Sequence, residues 1–234
     1  MKLSNAILLT SLALVLTACG DKPNDPTKEN FTKALDSVLN KEEVKIVGPG
    51  MLVNSDKNLF AIEDPHAKKN ADKQYKVKDV KLLDSLISYA KIFEKAGAVE
   101  IKETTYESPK LFGGTETKLG YVITYNDELL KTMQVVPFID LPIVKAGVLC
   151  VDKITGFTTP ASENGVNVSK VTFTKGVCKH TKGIDDKVIA SSGILDALNE
   201  SSTYTLKQTD KGWEVIDEEL FKIDYVKYFF NKNL

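Results

Sequence analysis

The stretch 82–106, LLDSLISYAKIFEKAGAVEIKETTY, sets the fold class. Its first half has a helical period. Val80, Leu83, Ile87 and Ala90 form one stripe, which Leu82, Leu86 and Phe93 widen into a face broad enough to be packed on more than one side. Asp79 is placed to cap this helix, which runs to about Lys95, and Gly97 stops it. The period then changes. Ala98–Tyr106 and Leu119–Tyr125 are rich in β-branched and aromatic residues, and 107–117, ESPKLFGGTET, lies between them with Pro109 and Gly113-Gly114. A helix running straight into a strand–loop–strand hairpin predicts an α+β protein.

Toward the N-terminus, Asp25 is placed to cap a first helix with Pro26 at its first position. Phe31, Ala34, Leu35, Val38 and Leu39 fall on one face of it. Val44–Val47 is a short strand candidate that Gly48-Pro49-Gly50 breaks. Residues 54–78 are the most polar part and carry Lys68, Lys69, Lys73, Lys76 and Lys78, with Glu63, Asp64 and Asp72 beside them. They read as a solvated loop; the alternative is a basic patch facing anionic lipid or polymer. The order helix, short strand, helix, hairpin over residues 31–125 resembles a winged helix, with 82–106 as recognition helix and wing. That fold implies DNA binding, but a fold does not carry a function. The composition points away from nucleic acid and nucleotide: all 31 basic residues are Lys, the formal charge is −1 and the pI is near 6.2. Arginine's planar fork, the usual tool for phosphate and guanine edges, is missing.

Toward the C-terminus, Met133–Leu141 and Ile143–Phe157 are apolar segments interrupted by Pro137 and Pro142, so edge positions or kinks are expected. Val166–Val177 reads as another strand. Asp185 or Asp186 is placed to cap a short helical stretch containing Ile194, Leu195 and Leu198. Tyr204–Lys207 and Trp213–Ile216 should form a hairpin around Thr209-Asp210-Lys211-Gly212. In the tail FKIDYVKYFF, Phe221, Ile223 and Tyr225 alternate as a strand would. The expected organisation is a winged-helix-like α+β subdomain at 28–133, followed by an antiparallel β-rich subdomain at 134–234.

The first residues give an address. Lys2 precedes an apolar run, Ala6–Leu16, too short to cross a bilayer. It ends Leu16-Thr17-Ala18-Cys19-Gly20, which resembles the bacterial lipoprotein precursor signal, the lipobox, in every position. The resemblance implies a signal peptide at 1–18, cleavage before Cys19, diacylation of its sulfur and acylation of the new N-terminus. Two or three acyl chains make release negligible, at about 0.8 kcal/mol per buried methylene. Asp directly after the lipidated Cys is the enterobacterial inner-membrane retention pattern. Here Gly20 takes that place and Asp21 comes one later, which favours the periplasmic face of the outer membrane. Residues 19–27, with two prolines, read as a tether between lipid and fold.

With Cys19 lipidated, Cys150 and Cys178 remain, and an even pair in an exported chain reads as a disulfide. If 148–158 and 166–178 form a hairpin, their midpoint is 164, inside its loop, and the two cysteines face each other. The alternative is a metal or redox pair, although no Cys-x-x-Cys exists. The segment from Cys150 through Phe157, Thr158, Pro160, Gly165, Val168, Ser169 and Val171, with Gly212-Trp213, is similar to uncharacterised proteobacterial periplasmic lipoproteins. That family implies no activity.

The search for chemistry is negative. His66 and His180 are isolated, whereas a zinc site wants three or four clustered ligands. Cys178-Lys179-His180 could set a thiolate beside an imidazole, but a bridged Cys near an exposed His is the plainer reading. Glu63-Asp64-Pro65-His66 could hold a divalent ion, but a polar turn is the plainer reading. There is no Gly-x-Ser-x-Gly, no Ser-x-x-Lys and no phosphate-binding loop. The expected protein is a non-enzymatic envelope lipoprotein without cofactor or metal. It is held at the membrane by its lipid and binds an envelope protein or polymer. The alternative is an inhibitor or immunity lipoprotein that blocks an envelope-attacking enzyme or toxin through 107–117 or 54–78. An enzyme with an unfamiliar site would need a pocket where His66 or His180 meets carboxylates.

Overall fold

The computed structural model describes residues 22–54, 59–63, 77–110, 113–137, 139–216 and 225–233. The elements run α1 (Lys28–Leu39), β1 (Glu43–Val47), β2 (Met51–Asn54), β3 (Leu59–Glu63), α2 (Val77–Lys95), β4 (Val99–Pro109), β5 (Thr115–Tyr125), α3 (Asp127–Thr132), β6 (Gln134–Val136), β7 (Leu141–Phe157), β8 (Ala161–Glu163), β9 (Val166–Cys178), α4 (Asp186–Ser191), α5 (Leu195–Asn199), β10 (Ser202–Thr209), β11 (Gly212–Val215) and α6 (Tyr225–Asn233). They build two antiparallel sheets. The larger has the order β1-β7-β9-β10-β11, with β6 also on β7 and β8 on β9; the smaller has the order β2-β3-β5-β4. The protein is α+β.

The helix-to-hairpin reading of 82–106 holds. α2 ends at Lys95, Gly97 takes φ +77°, and β4 pairs with β5 from Val99↔Tyr125 to Pro109↔Thr115. The helix begins at Val77, two residues before the expected cap Asp79. Within 54–78, the stretch read as a loop contains a strand: β3 buries Phe60, Ala61 and Ile62 and pairs with β5. Four apolar residues among lysines are too few to show a period.

α1 buries Phe31, Ala34, Leu35 and Leu39, as its spacing predicts, but Thr27 caps it. Thr27 Oγ1 accepts from Asn30 N at 3.3 Å, while the Asp25 carboxylate turns back to accept from Lys22 N at 2.8 Å. The helix therefore starts at Lys28, beyond Pro26.

β1 comes from the expected 28–133 subdomain, yet it pairs with β7, and α1 packs over β7 and β11. The two expected subdomains thus share one sheet and one core. The link between β1 and β2, Gly48-Pro49-Gly50, is held by two buried phenols. Tyr89 Oη donates to Val47 O, Tyr125 Oη donates to Pro49 O at 2.5 Å, and Gly48 N donates to Pro142 O at 2.7 Å. Pro142 does not interrupt β7; it is the second residue of that strand and pairs with Val135.

Asp185 caps α4, and Gly193 at φ +80° divides the expected helical stretch into α4 and α5. The tail departs from the alternating reading. Tyr225 opens helix α6, in which Val226 and Phe229 are inward and Phe229 stacks on Tyr89 with ring centroids 5.3 Å apart. An aromatic run that dense fits either period, so packing against Tyr89 decides. Phe221 and Ile223 lie outside the described residues.

Candidate functional site

Cys150 and Cys178 are bridged, with Cα atoms 5.9 Å apart. They do not face each other. Phe157 pairs with Val171, and an unbroken register from there would set Cys150 opposite Cys178; instead Cys150 lies opposite Gly176 and Val148 opposite Cys178. Two bulges in β7, between Val151/Lys153 and Ile154/Gly156, each insert one residue and together slide the register by two. The bridge therefore runs diagonally. Gly176 leaves the space opposite Cys150 free, and a Cβ there would stand 3.8 Å from Cys150 Sγ and 3.3 Å from Asp152 Cβ. The bulges are fastened from three sides. Val151 N donates to Asp36 Oδ1 of α1 at 2.8 Å, Thr174 Oγ1 donates to Asp152 Oδ2 at 3.1 Å and Thr155 Oγ1 donates to Thr172 O at 3.1 Å.

At the other end of the large sheet, residues 22–25 are latched down. Asn30 Nδ2 donates to Lys22 O at 2.7 Å and to Asp25 O at 3.0 Å. Gln208 Nε2 of β10 donates to Asn24 O at 2.8 Å, and Trp213 Nε1 of β11 donates to Asp25 O at 3.2 Å. Trp213 is buried edge-on against Phe31, with centroids 4.9 Å apart. Gly212 has φ +128°, and a Cβ on it would come within 3.2 Å of Pro23 O, so only glycine serves both the backbone and the close approach. The expected tether 19–27 is corrected by this latch: residues 22–27 belong to the fold. Cys19 and residues 1–18 lie outside the described residues.

The remaining candidates are not brought together. His180 is exposed on the β9–α4 connection, its Nε2 3.0 Å from Val177 O and 3.7 Å from Asp186 Oδ1. Its neighbour Cys178 is committed to the bridge, so the thiolate–imidazole reading of that pair does not apply. Glu63 pairs with Lys118 at 2.8 Å; Asp64 and His66 lie outside the described residues. Among the described residues, no group of three or more His, Cys, Asp or Glu side chains converges as metal ligands do. No described helix is long and apolar enough to cross a membrane.

One cluster was not readable from the sequence. Lys175 on β9 is 3% exposed, and its Nζ donates to Ser202 Oγ of β10 at 2.5 Å. Burial pulls its ammonium below the usual lysine range, and the Glu200 carboxylate pushes back. Glu200 also accepts from Tyr228 Oη of α6 at 3.4 Å. A lysine next to a serine is the makings of a nucleophile and base, but here the ammonium donates to the hydroxyl and Glu200 favours keeping its proton. The cluster ties β9, β10 and α6 together at the end of the sheet opposite the latch.

Comparison of the chain with known protein families, with characterised proteins and with solved structures returns no match.

Proposed function

We propose that the chain is a lipoprotein of the bacterial cell envelope, anchored through acylated Cys19, with a non-enzymatic binding or accessory role. The observation that carries this reading is the sequence Leu16-Thr17-Ala18-Cys19. The Cys150–Cys178 bridge supports it, because such bridges persist in oxidising compartments and both other cysteines are spent on it. Gly20 after Cys19 favours the periplasmic face of the outer membrane. The likeness to uncharacterised periplasmic lipoproteins belongs to the same reading, with Gly212-Trp213 explained by the latch. The winged-helix-like segment 31–125 is taken as scaffold, and the partner as an envelope protein or polymer rather than nucleic acid or nucleotide.

The test is Cys19→Ser. It should abolish labelling by radiolabelled palmitate and leave an uncleaved or soluble precursor; equal labelling of variant and wild type refutes the anchor. Crosslinking in intact envelopes should then recover a partner, and none above background counts against the binding role.

A second reading, an inhibitor or immunity lipoprotein, is favoured by one feature. β4 and β5 stay paired from Val99↔Tyr125 out to Pro109↔Thr115. This arm of two 11-residue strands can present 107–117 to a target, as a blocking element must. Deletion should raise sensitivity to one lytic enzyme or toxin, and unchanged sensitivity across a panel removes this reading.

A further inference from the structure

The latch fixes which end of the protein meets the bilayer. This inference rests on the Cys19 anchor and goes beyond it. Lys22 is held by Asn30, and the following residues by Gln208 and Trp213. Three peptide steps separate Cys19 from Lys22, and extended chain covers at most about 11 Å in that distance. Next to the latch stand two hairpin turns of the large sheet. Trp213 pairs with Gln208, and Asn167 Nδ2 donates to Gln208 Oε1 at 2.8 Å. The β8–β9 turn, Glu163 to Val166, and the β10–β11 turn, Thr209 to Gly212, therefore lie side by side at that end. The 13 residues of β9 put Cys178 up to about 40 Å away at the other end, where the connection to α4 begins.

We propose that this hairpin-tip end is the surface the protein lays against phospholipid headgroups, with the bridge, Lys175 and α4 pointing away from the membrane. The tip suits a headgroup layer. Val166 is 40% exposed at its apex, and Lys22 and Lys211 are exposed beside it. Glu163 and Asp210 offset those lysines, so the charge balance there is near zero. The orientation comes from the short connection, not from attraction to anionic lipid, and should therefore survive salt that screens surface charges.

The experiment uses the full lipidated chain in vesicles of phosphatidylethanolamine and phosphatidylglycerol. A membrane-impermeant amine reagent is followed lysine by lysine with mass spectrometry. Lys22 and Lys211 should react several-fold more slowly than in soluble Cys19→Ser protein, at low and at high salt, while Lys182 and Lys187 react equally in both. Inserting about 20 Gly/Ser residues between Asp21 and Lys22, with an r.m.s. span of about 25 Å, should keep the protein on the vesicles and abolish the protection. Protein that floats with vesicles but shows no protection at Lys22 and Lys211 overturns the proposal and leaves the anchor standing. Protection that vanishes in high salt, or survives the insertion, also overturns it, because charge and not the latch then orients the body. Protein that neither carries acyl chains nor floats overturns the anchor reading and the proposal with it.

Discussion

Removing either half of the Cys150–Cys178 bridge should destabilise the protein by unequal amounts. The bridge spans 28 residues, for which chain entropy alone gives about 3.6 kcal/mol. Cys178 is exposed, so Cys178→Ala should cost about that much. Cys150 is 4% exposed in the core, so Cys150→Ala should cost roughly 1 kcal/mol more for the packing lost. The double variant should match Cys150→Ala, leaving a coupling of about 3.6 kcal/mol between the two sites. Urea unfolding can be followed by the fluorescence of Trp213, the single tryptophan, with thermal melts falling by roughly 10 °C. Two results would refute the reasoning: single effects that simply add in the double variant, or two free thiols in the unreduced, denatured wild type.

Other expectations follow from single contacts. Asn30→Ala removes both amide bonds to Lys22 O and Asp25 O and should cost about 1–3 kcal/mol, with faster proteolysis near residue 22; unchanged cleavage argues against the latch. Gly212→Val must place a side chain at φ +128° against Pro23 and should cost at least about 1–3 kcal/mol in a denaturant midpoint. Lys175 has its ammonium pulled below the usual range by burial, so the unfolded chain binds more protons between the folded value and the usual value near 10.5. Wild-type stability should therefore rise with pH across that window, and Lys175→Met should lose the rise without a large cost at neutral pH. A flat wild-type profile there would contradict the buried ammonium.

What the sequence revealed depended on length and locality. α2, β4 and β5 are long and clearly periodic, and a glycine at the boundary marks the change of period. β3 is a five-residue strand among lysines, too short to declare itself, and the aromatic tail fits two periods until Phe229 finds Tyr89. The pairing of Cys150 with Cys178 could be read from redox logic and a midpoint. Their diagonal placement could not, because bulges at Asp152 and Thr155 leave no mark in composition. The latch was least legible of all. Its bonds from Gln208 to Asn24 and from Trp213 to Asp25 join residues 184 and 188 apart, and only the Gly-Trp pair hinted at a fixed role. Nothing local in the sequence marks Lys175 as turning inward.

The central claim is that Cys19 carries the protein to the membrane, and the most direct measurement is the mass of the N-terminal tryptic peptide from membrane-extracted protein. Lys22 precedes Pro23, so trypsin should release Cys19–Lys28 whole. The account predicts this peptide with a diacylglyceryl group on Cys19 and an acylated amino terminus. A chain that still begins at Met1, or a Cys19–Lys28 peptide bearing a free thiol and a free amine, would contradict it.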